Sequence, residues 1–179
     1  IYVGYRYFDT FQVPVRYGFG FGLSYTDFEI KDNSLTKTAE GGLRTAVTVT
    51  NTGEISGKEV VQVYVSLPGG KLEKEARRLV AYRKTSELKP GEKENLVLEI
   101  SAERLTSYDA SRAAWIMEPG FYGVWVGNSL ESAELIGGAA LEEEVILTQT
   151  ANFFPLKQEL KEKSQEAGKT SEREETVRK

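Results

Sequence analysis

The chain has 179 residues, with 23 Lys and Arg against 27 Asp and Glu and a net charge of −4, so it offers no basic surface to nucleic acid or to an anionic membrane. It contains no Cys and no His, which excludes disulfide frameworks, thiolate nucleophiles, His-based triads and His- or Cys-ligated zinc, and no cofactor or metal is expected. Hydrophobic residues at 40% and charged residues at 28% fit one domain, or one domain and a tail, most of which folds in water.

Residues 1–23 form an aromatic, Gly-rich arm. It opens IYVGYRYFDTF, with neither the basic start nor the apolar stretch of a secretory leader. It has no initiator Met, so it reads as the interior of a longer chain. Missing Cys and leader favour the cytoplasm slightly over secretion. Tyr17-Gly18-Phe19-Gly20-Phe21-Gly22 lacks the GxGxxG spacing of a dinucleotide loop, and no Lys-Ser/Thr follows it. It reads instead as a turn whose glycines let aromatics pack on a neighbouring surface.

Residues 24–140 alternate short apolar runs with turns. A first strand is predicted from Ser24 to Lys31, with Tyr25, Phe28 and Ile30 facing the core. LRTAVTVTN puts Leu43, Thr45, Val47 and Val49 on one face by its period of two, and Asn51-Thr52-Gly53 supplies the turn. KEVVQVYVSL places Val61, Val63 and Val65 inward, Gln62 outward and Tyr64 partly covered. RLVAYRKT is a short mixed strand. Lys89-Pro90-Gly91-Glu92 is a turn, and Leu96, Leu98 and Ile100 face inward after it. Glu118-Pro119-Gly120 turns the chain into FYGVWVG, where Tyr122, Val124 and Val126 alternate with Phe121, Gly123 and Trp125. About seven strands with spaced turns and no long helix predict an all-β antiparallel sandwich of the fibronectin type III or immunoglobulin type.

Residues 141–179 read as a connector and a charged tail that cannot bury a core face and is partly disordered. Pro155 and Gly168 bracket a weak helix over 156–167, where Glu159 and Lys163 would pair across one turn. No apolar run approaches the roughly 20 residues of a membrane span.

The chemistry such a composition leaves is carboxylate-, Lys- or Tyr-based, the alternative being none at all, and the obvious carboxylate pair is Asp9 and Glu29. Nothing in the sequence brings them together. Asp27, Asp32 and Asp109 sit in or beside turns, where Asp bonds local backbone. Glu142-Glu143-Glu144 and the cluster Lys71, Lys74, Arg77 and Arg78, interleaved with Glu73 and Glu75, read as solvated faces. Trp115 is expected in the core. Trp125 sits opposite the inward set of its strand, so it is either core packing or an exposed platform for sugar rings, and it is the one candidate carbohydrate contact.

Val3-Gly4-Tyr5-Arg6-Tyr7-Phe8-Asp9, followed by Tyr17-Gly18-Phe19-Gly20-Phe21-Gly22-Leu23-Ser24-Tyr25-Thr26, closely resembles the end of the α/β sandwich domain of glycoside hydrolase family 3. Later landmarks resemble that family's fibronectin type III-like domain: Asn51-Thr52-Gly53 with Gly57, then Val60 to Val65, Leu88-Lys89-Pro90-Gly91-Glu92, Ser107-Tyr108-Asp109, and Glu118-Pro119-Gly120-Phe121-Tyr122 leading to Gly127-Asn128-Ser129. Gly18 departs from the Pro common there. The resemblance implies a parent β-glucosidase of retaining type whose nucleophile and acid/base lie in a TIM barrel and an α/β sandwich domain. Neither motif occurs in this chain, so no catalytic residue is expected in it, and the segment alone is expected to be inactive. The implied role is a non-catalytic module bracing those two domains. The alternative is a stand-alone carbohydrate-binding or adhesive module, and a glucan or oligosaccharide is the small-molecule partner considered.

Overall fold

The computed structural model describes residues 1–153 and 164–165. A short helix α1 (Tyr5–Thr10) precedes ten strands among the described residues: β1 (Phe28–Lys37), β2 (Leu43–Asn51), β3 (Val60–Ser66), β4 (Arg78–Lys84), β5 (Lys93–Ile100), β6 (Ser107–Asp109), β7 (Ala114–Met117), β8 (Gly120–Gly127), β9 (Glu134–Leu141) and β10 (Val145–Gln149). Seven of them make two antiparallel sheets, ordered β1-β2-β5 and β4-β3-β8-β9. Their inner faces close on one core of Val47, Val49, Val61, Val63, Val65, Leu96, Ile100 and Val124, all nearly excluded from water. This is the sandwich that the alternation predicts, because β-branched residues at every second position fit a pleated, half-buried surface.

Three short strands add a third sheet, ordered β10-β7-β6. The sequence did not announce them, since three to five residues carry too little periodicity to read. The first strand begins at Phe28 and runs to Lys37, later than expected, with an irregular register between Lys31 and Ser34. Phe28 and Ile30 pack on the core as expected, whereas Tyr25 lies before the strand and is 95% exposed. The helix expected over 156–167, with its Glu159–Lys163 pair, falls outside the described residues except at 164 and 165.

Two corrections share one cause. Gln62 and Tyr64 lie on the outer face of β3, yet both are buried. The N-terminal arm covers them, so the outer face of that sheet is not its solvent face. Burial pushes the Tyr64 phenol well above its ordinary pKa.

The turn after β2 is organised by Asn51, which is fully buried. Its Nδ2 donates to the carbonyls of Ile55 and Leu88, both at 2.8 Å. Its Oδ1 accepts from Thr26 Oγ1 at 2.8 Å and from the Gly53 amide at 3.1 Å. One side chain thereby joins the segment that follows the arm, the β2–β3 turn and the approach to β5. Asn51→Ala strands several buried polar groups at once, and about 3 kcal/mol of stability should be lost in urea unfolding.

Candidate functional site

The polar groups of the molecule concentrate where the 67–77 loop, the arm and the β7–β8 turn meet. Glu118 precedes that turn and is buried. It accepts from the amides of Lys71 at 2.7 Å and Leu72 at 3.3 Å, and from Lys74 Nζ. Burial pushes the Glu118 carboxyl up, but the Lys74 ammonium and the two amides outweigh it, so the group is held below its ordinary value. Its carbonyl accepts from Tyr122 Oη at 2.8 Å, and burial pushes that phenol up to about 12. Gly120 follows at φ 134°, and a Cβ there would meet Pro68 at 2.4 Å. Loop and turn thus lie too close for any other residue at that position.

Glu75 is the second anchor. It takes both Nε (2.8 Å) and Nη2 (3.1 Å) of Arg78, and Arg78 Nη1 donates to the Thr106 carbonyl at 2.6 Å. The cluster expected to be a solvated face is therefore largely inside. Lys74 and Glu75 are buried, and Arg77 and Arg78 are mostly covered. Alternating signs at close spacing allow burial because each charge finds a partner.

The arm docks on this frame. Asp9 takes Arg77 in a two-point pair, Nη2 at 2.6 Å and Nε at 3.1 Å. Thr10 Oγ1 accepts from the Ala76 amide at 2.9 Å, and Tyr5 Oη from the Leu79 amide at 2.7 Å. The Tyr5 ring stacks on Phe19 at 4.3 Å between centroids and meets Tyr64 edge-on at 6.2 Å. Gly20 has φ 81°, a left-handed conformation that other residues adopt only with strain, where the Gly-rich loop crosses β3 against the Gln62 side chain. The loop packs aromatics as the sequence indicated. Tyr17 also stacks on Phe21 at 5.2 Å.

Trp125 is partly buried beneath this arm. Its Nε1 donates to Ser66 Oγ at 3.2 Å, and the Arg77 guanidinium sits 5.2 Å from the ring centroid. Trp115 is not in the core. It is 43% exposed on the outer face of β7, beside Tyr108. Asp9 and Glu29 are not brought together, since Asp9 faces Arg77 while Glu29 pairs with Lys31 on β1 of the other sheet. Asp109 ends β6, beside the β6–β7 turn. Hydrogen bonds from Ser111 and then Arg112 hold its carboxyl at about 2. Glu144 of the acidic run pairs with Arg112. Among the described residues no three carboxylates gather to hold a metal ion.

Comparison with known proteins agrees with this architecture. Residues 59–130 match the model of the fibronectin type III-like domain. The chain is 38% identical to β-glucosidase A of Butyrivibrio fibrisolvens, over 85% of this chain and 21% of that protein. It is 43% identical to a β-glucosidase of Ruminococcus albus, over 83% and 16%. Among solved structures, β-glucosidase 3B from Thermotoga neapolitana in complex with α-D-glucose superposes with a TM-score of 0.76 at 45% identity, covering 81% of this chain and 20% of that one. A β-glucosidase from Paenibacillus barengoltzii gives 0.78 at 40% identity, covering 84% and 18%. The chain thus spans about a fifth of the length of these relatives.

Glu118 gives the site a pH signature. Its folded pKa lies below that of the unfolded chain, so its contribution is complete above the ordinary carboxylate value and is lost as pH falls through the folded one. Urea midpoints should therefore fall more steeply below about pH 4.3 in the parent sequence than in Glu118→Gln. At pH 7 the variant, with Lys74 left buried and unpaired, should be less stable by about 3 kcal/mol. Equal acid slopes in the two proteins would show that the buried pair does not set this dependence.

Proposed function

We propose that this chain, whose residues 59–130 are fibronectin type III-like and whose relatives are β-glucosidases, is the module that braces the catalytic domains of a glycoside hydrolase family 3 enzyme of β-glucosidase type, in which it hydrolyses nothing itself. The observation that carries the bracing role is a strip of exposed apolar residues along 15–25. Val15, Tyr17, Phe19 and Phe21 are each more than two-fifths exposed, Leu23 is 92% exposed and Tyr25 95%. The strip does not dangle. Asp9, Thr10 and Tyr5 fix it on one side, and the Thr26–Asn51 bond on the other. A held row of aromatic surface in water marks a place where another surface belongs.

In this reading residues 1–23 are an arm from the end of an α/β sandwich domain, 24–140 the fibronectin type III-like domain, and 141–179 a connector that also supplies β10. The carboxylates best placed for chemistry are already committed: Asp9 to Arg77, Glu75 to Arg78, Glu118 to Lys74 and Asp109 to Arg112. That supports a structural module over a catalytic one. A glucan or oligosaccharide is the second partner the reading admits, but at Trp125 it would meet a ring face already taken by Arg77. A module acting alone on carbohydrate would have no use for the strip.

Without its partner domains the strip should drive self-association. Sedimentation velocity should show a concentration-dependent coefficient, and replacing Tyr17, Phe21, Leu23 and Tyr25 together with Ser should abolish it while the circular dichroism stays that of a β-sandwich. A parent chain that sediments identically at all concentrations would remove the case for a covered strip. The purified chain should release nothing from an aryl β-glucoside; turnover lost on substituting one acidic residue would overturn the non-catalytic assignment.

A further inference from the structure

The outer face of the β6-β7-β10 sheet carries an aromatic pair that the bracing role leaves unused. Tyr108 and Trp115 are directly opposed across β6 and β7, and Thr148 opposes Trp115 on its other side. The two rings lie 5.2 Å apart at 55°, a shallow V open to water. They are 40% and 43% exposed. Period two dictates this placement, because Ala114 and Ile116 on either side of Trp115 are buried.

The surroundings of the V are polar. Tyr108 Oη lies 3.4 Å from Thr150 Oγ1, which donates to the Ala113 carbonyl at 2.6 Å. Arg112 leaves the β6–β7 turn in a two-point pair with Glu144, at 2.6 and 2.9 Å. An apolar floor with a few hydroxyls and a charged pair at its edge is the composition of a small-ligand contact. Two rings exposed to this degree offer on the order of 200 Å², far below the roughly 800 Å² per partner that a stable protein interface covers.

We propose that the Tyr108–Trp115 face binds a β-linked glucan or oligosaccharide. A β-glucopyranose ring carries its axial C–H bonds on its two faces and its hydroxyls around its equator. The faces are therefore apolar and the edge is polar, which matches an aromatic floor rimmed by hydroxyls. One ring of the V takes a sugar face, the other meets the edge of the same or the next unit, and Tyr108 Oη, Thr148 and Thr150 are within the polar rim. The carbohydrate role that strand alternation offers to Trp125 falls instead to Trp115, which is 43% exposed among the described residues. The choice of a glucose-based ligand rests on the family reading. The site itself rests on the exposed pair.

The test is calorimetric titration of the full chain with cellotetraose. The parent sequence should bind saturably and weakly. Trp115→Ala and Tyr108→Ala should each weaken binding by about tenfold, the equivalent of one lost aromatic contact, with circular dichroism unchanged. The four-Ser variant of the strip should bind as the parent does, which separates this site from the bracing surface. Absence of saturable binding by the parent, or equal affinity in both aromatic variants, would overturn the proposal, and neither outcome bears on self-association or turnover.

Discussion

Tyr64 is fully buried although it points away from the core between the two sheets. A sandwich of two sheets has no second interior, so an outward residue can lose all contact with water only where another layer lies over it. The arm is that layer. Tyr5, Leu79 and Trp125 pack around Tyr64, Leu130 and Ala133, and the Leu130 amide donates to the Phe19 carbonyl at 2.9 Å. The rest of the site follows from this contact. Where the arm crosses β3, Gly20 takes a left-handed conformation that favours glycine, Gln62 must find protein partners, and it does so through Asn128 O at 2.6 Å and Gly20 O at 3.4 Å.

The buried charges act on position more than on net stability. Desolvating Lys74 and Glu118 offsets most of what their attraction returns, and a well-packed apolar pair of the same volume could do as well for stability. What the ions add is a penalty for every other arrangement. If the 67–77 loop shifts, Glu118 loses three donors at once, two of them amides of that loop. Glu75 extends the constraint to β4 through Arg78. The Arg77 residue between them then has one place to point, toward Asp9 and over Trp125. Loop, arm and sheet are fixed by groups that cannot be left unpaired.

Residues governed by period two were legible in the sequence, and residues governed by a covering segment were not. Val61, Val63, Val65, Leu96, Leu98 and Ile100 face the core because alternation alone decides them. Gln62 reads as outward and Tyr64 as partly covered; both do face outward, yet Gln62 is buried and Tyr64 is covered completely. The missing fact was where a segment forty residues earlier lies. The only signal was the arm's excess of aromatics, which says that it must pack somewhere without saying where. Lys74 and Glu75 were misread for the same reason: alternating charge is the signature of a wet loop, and only three-dimensional pairing turns it into a buried one. The family resemblance was legible because turn residues such as Asn51, Pro90-Gly91 and Pro119-Gly120 are dictated by backbone shape, so they persist as ordered landmarks.

The two tryptophans show how far a local rule reaches. Both stand on the outward register of an antiparallel strand, Trp115 on β7 of the β10-β7-β6 sheet and Trp125 on β8 of the β4-β3-β8-β9 sheet, the two strands on either side of Glu118. Alternation gives them the same orientation and cannot distinguish their roles. The difference lies in what passes over each ring. Arg77, drawn in by Asp9, covers Trp125, so that ring becomes part of the floor on which the arm rests. Over Trp115 the neighbour is Tyr108, a second ring at a tilt, which widens an apolar surface without closing it. An outward aromatic is therefore a site only when the long-range packing leaves it open: Arg77 lies over Trp125, whereas Trp115 stays 43% exposed among the described residues.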